Sequence, residues 1–142
     1  MPEEPTTPDP AEATRRVLAA FNRGDFDAVE GCYAEDAVVT GHEIGRFDGA
    51  PAIRRLYEDM ATPYGDVRGE IDELVNLGNG VTFAIVTVVG HPTGSTGEVR
   101  FHYAAAVVVT DGRIARQTNF IDIDEARAVA ARLADERQQP GR

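Results

Sequence analysis

Apolar residues recur at helical spacing through the first third of the chain and alternate at every second position through much of the rest. Asp9-Pro10-Ala11-Glu12 combines a capping acid, proline at a first helical position and a glutamate three residues after the cap, and Val17, Leu18 and Phe21 follow as a stripe. A first helix ending at Gly24 is predicted. Asp25 is placed to cap a second helix, on which Phe26, Val29 and Tyr33 share a face, and Ala37 to Thr40 reads as a short strand. Asp48-Gly49 introduces a third helix with Ile53, Leu56, Tyr57 and Met60 on one side.

From Gly65 the period changes. Strands are predicted over about Val67 to Leu77, Val81 to Val89, Val99 to Thr110 and Arg113 to Ile121, with hairpin turns at Gly78-Asn79-Gly80 and Asp111-Gly112. A last helix is expected from an Asp124 cap through Val129 and Leu133. The order is helix, helix, strand, helix, four strands, helix. It predicts an α+β fold with the helices on one side of a curved antiparallel sheet. Residues 1–8, rich in proline, threonine and glutamate, are expected to form a disordered tail, and residues 9–138 a single domain.

The strand Val99 to Thr110 carries the most information about a site. Phe101, Tyr103, Ala105, Val107 and Val109 share one face, expected toward the helices and a pocket. Arg100, His102, Ala104, Ala106 and Val108 share the other, which is apolar for a solvated surface and predicts a homodimer through the sheet face. The three consecutive alanines have two readings: they leave room for a ligand, or they let another element approach closely. In the last strand Gln117, Asn119 and Ile121 face one way and Arg116, Thr118 and Phe120 the other; either set is able to line a pocket.

Composition narrows the chemistry. All fourteen cationic side chains are arginine, so Schiff-base chemistry on a lysine is excluded. A net charge of −10 with scattered arginines argues against nucleic acid and anionic membranes as partners. No apolar run is long enough to span a bilayer and the first residues lack a signal-like segment, so a cytoplasmic protein is expected. The one cysteine, Cys32, allows no internal disulfide and reads as a small buried hydrophobe. No spacing of histidines and carboxylates recommends a metal site, and no glycine loop or serine elbow suggests a nucleotide or a nucleophile.

The candidate acid and base groups are few. His42 and Glu43 follow the first strand as an imidazole and carboxylate pair suited to proton transfer at a pocket mouth, or to solvation of a loop. Strand parity points His102 away from the pocket, and His91 reads as a turn residue. Gln117 and Asn119 offer amides able to polarise a carbonyl oxygen or to satisfy buried backbone. Tyr33, Tyr57 and Tyr103 offer hydroxyls, for a ligand or for structural hydrogen bonds.

The opening third, from Asn22-Arg23-Gly24-Asp25-Phe26-Asp27 through Tyr33-Ala34-Glu35-Asp36-Ala37-Val38-Val39 to Gly49-Ala50-Pro51-Ala52-Ile53-Arg54-Arg55-Leu56-Tyr57, resembles the start of the nuclear transport factor 2-like cone fold. The likeness is to its ketosteroid-isomerase and SnoaL-like polyketide-cyclase branches, with Asp111-Gly112-Arg113-Ile114 fitting the late hairpin. It implies a cone-shaped sheet with three N-terminal helices over an apolar pocket and a C-terminal helix. On this likeness the general base of ketosteroid isomerases falls on Gly41, and their oxyanion-hole tyrosine and aspartate on Val17 and near Ala105. The Arg-x-Asp pair of limonene-type epoxide hydrolases falls on Ile85 and Thr87, their water-holding residues on Val39 and Gly41, and their second aspartate near Asn119.

What the resemblance implies is an enzyme that acts on a small apolar, carbonyl-bearing metabolite by proton transfer without a cofactor, in an isomerisation, cyclisation or dehydration. His42, Glu43, Asn119 and Gln117 are the expected catalytic set, with Tyr33, Tyr57, Phe101, Tyr103 and Val39 against the substrate. The alternative is a noncatalytic dimeric module that kept the cone and lost its acids.

Overall fold

The computed structural model describes residues 9–42 and 44–138 of the chain. The expected tail and Glu43 lie outside the described residues. Six strands form one curved, unclosed sheet: β1 (Tyr33–Gly41), β2 (Gly45–Asp48), β3 (Tyr64–Gly78), β4 (Val81–Pro92), β5 (Val99–Thr110) and β6 (Arg113–Phe120), in the order β2-β1-β6-β5-β4-β3. All neighbours are antiparallel except β1 and β6, which run parallel.

Helices α1 (Ala11–Asn22), α2 (Phe26–Gly31) and α3 (Ala50–Ala61) cover the concave face. Asp9 starts α1 by accepting from Ala11 N at 3.0 Å, and Gly24, at φ +71°, turns the chain out of it. The stripe Ala13, Val17, Leu18 and Phe21 then meets Val86, Ala105 and Val107 of the sheet. Gly69 lets the helix lie close, because a Cβ there would stand 3.0 Å from Leu18 Cδ2. Asn22 locks the contact by bonding both polar atoms of the Gly69 backbone, at 2.8 and 3.0 Å.

Two predicted boundaries move and one strand is added. Tyr33 shares helical spacing with Phe26 and Val29, yet α2 stops at Gly31 and Tyr33 opens β1 opposite Ile114. A six-residue helix has little cohesion of its own, and the neighbouring strand offers Ile114 N to Cys32 O at 2.9 Å. The short strand β2, absent from the hydrophobic pattern, is held by its register with β1. The last helix, α4 (Ile123–Gln138), is capped by Asp122, which accepts from Glu125 N at 3.0 Å, and Asp124 falls in its first turn.

The larger correction concerns where α4 lies. It packs on the convex face, opposite the other three helices, with Ala126, Ala130 and Ala134 against Val81, Phe83, Ala104 and Ala106. The sheet face that suggested a dimer is therefore covered by the chain's own helix, apart from its His102 end. The alanine run divides: Ala104 and Ala106 admit α4, while Ala105 faces the concave core.

Candidate functional site

A cavity of about 250 Å³ opens at one end of the concave face. Leu56, Tyr57 and Met60 of α3 form one wall, since positions four apart on a helix lie one above the other. Phe101 and Tyr103 of β5 form a second wall, and Gln117 and Asn119 of β6 a third. Gly41, His42, Ile44, His102, Phe120 and Ile121 complete the mouth, where Ile44, Phe101 and Ile121 are exposed. The volume is close to the lower end of ordinary ligand sites, about 300 Å³, which suits a small organic molecule.

The polar groups of this greasy space are connected. Tyr33 Oη donates to Gln117 Oε1 at 2.7 Å, and Gln117 Nε2 donates to Asn119 Oδ1 at 2.9 Å. Tyr33 and Tyr57 hydroxyls lie 2.7 Å apart. Because Tyr33 spends its one hydrogen on Gln117, Tyr57 is the donor of that pair. The chain thus runs Tyr57 to Tyr33 to Gln117 to Asn119, and it ends on the Asn119 side-chain NH₂. That group lines the cavity and donates to no other described residue. The arrangement presents a hydrogen-bond donor to a bound oxygen, not a base to a bound proton.

Electrostatics agree with that polarity. Burial pushes the Tyr33 hydroxyl well above the ordinary phenol range, with Tyr57 adding to the shift. Burial likewise raises Tyr57 and Tyr103. The three phenols remain protonated at neutral pH. Among the described lining residues none is Asp, Glu or Arg, and His42 and His102 stand at the mouth.

The expected site residues separate into three groups. Asn119, Gln117, Tyr57, Tyr103, Phe101 and His42 come together around the cavity. Tyr33 is fully buried and reaches the site only through its hydrogen bonds to Tyr57 and Gln117. Val39 packs in the core beneath and does not line the cavity, a correction of depth and not of face: Gly41 lies on the same face two residues further along β1 and takes the lining position at its end. His102, expected to point away from the pocket, contributes to its rim from an exposed position. Cys32 is half-buried at the end of α2, where burial pushes its thiol up against the opposing influence of Arg16 and Arg23.

Ile44, Leu56, Met60, Phe120 and Ile121 were not among the expected site residues. Leu56 and Met60 were legible as an apolar stripe. Ile121 shares the face of Gln117 and Asn119 and continues it to the mouth, whereas Phe120, of the opposite set, packs beside α4 and borders the mouth where β6 ends. Ile85 and Thr87, matched to catalytic positions by resemblance, leave the concave face: Ile85 packs under α4 and Thr87 bonds Asp72 on the outside. At Gly41 a Cβ would lie 2.9 Å from Ile44 Cγ1, so Ile44 fills the space that a side chain at that position would enter.

Comparison with known proteins bears on this geometry. The SnoaL-like domain matches residues 14–117. No curated protein matches the chain. Among solved structures, an epoxide hydrolase from M. tuberculosis, described as LEH-like, superposes with a TM-score of 0.69 at 20% identity, covering 97% of this chain and 96% of the other. A protein with a ketosteroid isomerase-like fold from Catenulispora acidiphila, in complex with trimethylamine, gives 0.70 at 18% identity, covering 87% and 92%. A protein inferred to be a polyketide cyclase from Xanthomonas campestris gives 0.64 at 25% identity, covering 82% and 93%. With the family match spanning most of the sheet and all three concave-face helices, the chain belongs to the SnoaL-like family of the nuclear transport factor 2-like fold.

Proposed function

We propose that the protein binds a small, apolar, carbonyl-bearing metabolite in this cavity and promotes its enolisation without a cofactor, in the service of an isomerisation, cyclisation or dehydration. The observation that carries the reading is the hydrogen-bonded chain that delivers the free NH₂ of Asn119 to an otherwise apolar wall. Enolisation places negative charge on the carbonyl oxygen, and a preorganised donor in a dry site stabilises that charge more than it stabilises the neutral ketone. Tyr57, Tyr33 and Gln117 hold the donor in place. Proton removal from the adjacent carbon falls to His42 at the mouth, with Glu43 as the neighbouring carboxylate. The family match supports such cofactor-independent chemistry, and the structures named above include an epoxide hydrolase and an inferred polyketide cyclase.

Exchange of the α-hydrogens of acetophenone with deuterated solvent, followed by NMR, tests the proposal directly. The wild-type protein is expected to accelerate exchange. Asn119→Ala should cost about a hundredfold, the usual loss for one oxyanion donor, and His42→Gln a similar factor. A second reading, a binding module without turnover, is favoured by the absence of any carboxylate among the described lining residues. It wins if acetophenone binds, exchanges no faster than in buffer, and the Asn119→Ala and Glu43→Gln variants change nothing but affinity.

A further inference from the structure

Behind Tyr57, Tyr103 and Gln117 lies a second hollow of about 20 Å³. Those three side chains line both spaces, and α1 closes the inner one with Thr14, Val17 and Leu18. Thr14 is only 6% exposed, and its hydroxyl has no hydrogen-bond partner among the described residues. A helical threonine ordinarily spends its hydroxyl on the carbonyl four residues back. Thr62 does this, donating to Glu58 O at 2.8 Å. Thr14 instead borders the hollow. Thr82, the other buried hydroxyl without a partner, lines neither space.

Native interiors rarely hold a buried hydroxyl without a partner, because desolvating it is unfavourable. A hollow admits a water once it offers about 10–15 Å³ to the centre of the molecule, and the water then needs two to four polar partners. The inner hollow meets the first condition for one oxygen. For the second, the residues that line it carry Thr14 Oγ1, the Gln117 Nε2 with a hydrogen beyond the one given to Asn119, and the Tyr103 hydroxyl, which bonds no described residue.

We propose that this inner hollow is a one-oxygen subsite, in which Thr14 holds a single hydroxyl-type oxygen against Gln117 and Tyr103. The oxygen has two sources with the same chemistry: a resident water, or the hydroxyl end of a ligand whose body fills the outer cavity. Only the second source rests on the ligand reading given above. Either way Thr14 is a positioning residue. An oxygen at this place fixes the Gln117 amide from behind, and Gln117 in turn aims Asn119.

Crystal structures, thermal unfolding and the affinities of acetophenone and 4′-hydroxyacetophenone, measured on wild type, Thr14→Val and Thr14→Ser, test the subsite. Density for one oxygen beside Thr14 is expected in the wild type and in Thr14→Ser, and not in Thr14→Val. Thr14→Val should lower Tm, and Thr14→Ser should restore most of the loss. If the ligand supplies the oxygen, Thr14→Val weakens 4′-hydroxyacetophenone roughly tenfold more than acetophenone. If water supplies it, the density is present without ligand and the two ketones weaken together. No oxygen in any wild-type structure overturns the proposal, and so does a rise in Tm for Thr14→Val, which is what deleting a hydroxyl from a dry hollow produces. Should neither ketone bind the wild type while the oxygen is present, the ligand reading fails and the subsite stands.

Discussion

Tyr33 shows how much one buried side chain organises here. It is 2% exposed, sits at the first position of β1, and joins α3 to β6 by bonding Tyr57 and Gln117. Replacing it with phenylalanine leaves Gln117 Oε1 and the Tyr57 hydroxyl without their partner in an apolar surrounding. Tyr33→Phe should therefore destabilise by about 1–3 kcal/mol in urea unfolding. It should also weaken ketone binding, because the amide pair loses its anchor. The same phenols predict a pH response. Burial raises Tyr33, Tyr57 and Tyr103 above the value near 10 of an unfolded tyrosine. Above about pH 10 the unfolded chain releases those protons and the folded chain keeps them, so the unfolded state binds fewer protons and stability falls as pH rises. The contribution is whole below about pH 10 and is lost above it. The urea midpoint followed from about pH 9 to about pH 11.5 should decline, and tyrosinate absorbance of these three residues should appear together with unfolding. Tyr103→Phe should make the decline shallower.

At the scale of elements, α4 is the case in which periodicity and tertiary position part company. Its alanines at 126, 130 and 134 form a narrow flat stripe that fits Ala104 and Ala106 on β5, two small surfaces in close approach. Arg127 lies over the Phe83 ring at 4.5 Å and pairs with Glu73 at 2.7 Å, while Asn79 and Arg137 tie the far end of the helix to the β3–β4 turn. A large side chain in that seam has nowhere to go. Ala106→Leu should cost about 1–3 kcal/mol through overpacking, read as a lower urea midpoint. The site on the concave face should keep its ketone affinity in the variant that remains folded. The hairpins, by contrast, were legible residue by residue. Asp111 and Gly112 take φ of +53° and +80°, the pair of positive values that their sequence announces for a two-residue turn.

The whole molecule places its exposed large hydrophobes together. Ile44, Phe101 and Ile121 surround the cavity mouth, and Val99 stands two residues from Phe101 on the same strand. A folded surface that is otherwise strongly acidic, with a net charge of −10, concentrates its apolar exposure where a ligand enters. Ligand binding to the folded state alone then stabilises the protein by mass action. A ketone at about a hundred times its Kd should add about 2.7 kcal/mol. A chain of this length should respond with a rise in Tm of roughly 5–10 °C. Differential scanning fluorimetry with acetophenone reads it, and Ile121→Asp at the rim should reduce the shift without lowering the Tm of the free protein. Among the described residues no helix is long and apolar enough to cross a membrane.

Local pattern determined the helices, the strands other than β2, the turn chemistry and the inward face of β5, because each is a matter of spacing between near neighbours; the face of β6 that meets the cavity is not. The family likeness was carried by the same local signals in the opening third. Which face of the sheet α4 would cover, whether the alanines made a hollow or a seam, and whether Tyr33 belonged to a helix or a strand were decided by contacts between residues far apart in the chain. So was the polarity of the site. Gln117 and Asn119 are amides wherever they stand, but only the convergence of α3, β1 and β6 brings Tyr33 and Tyr57 to them. That convergence sets the order of the hydrogens, and so leaves a donor facing the cavity.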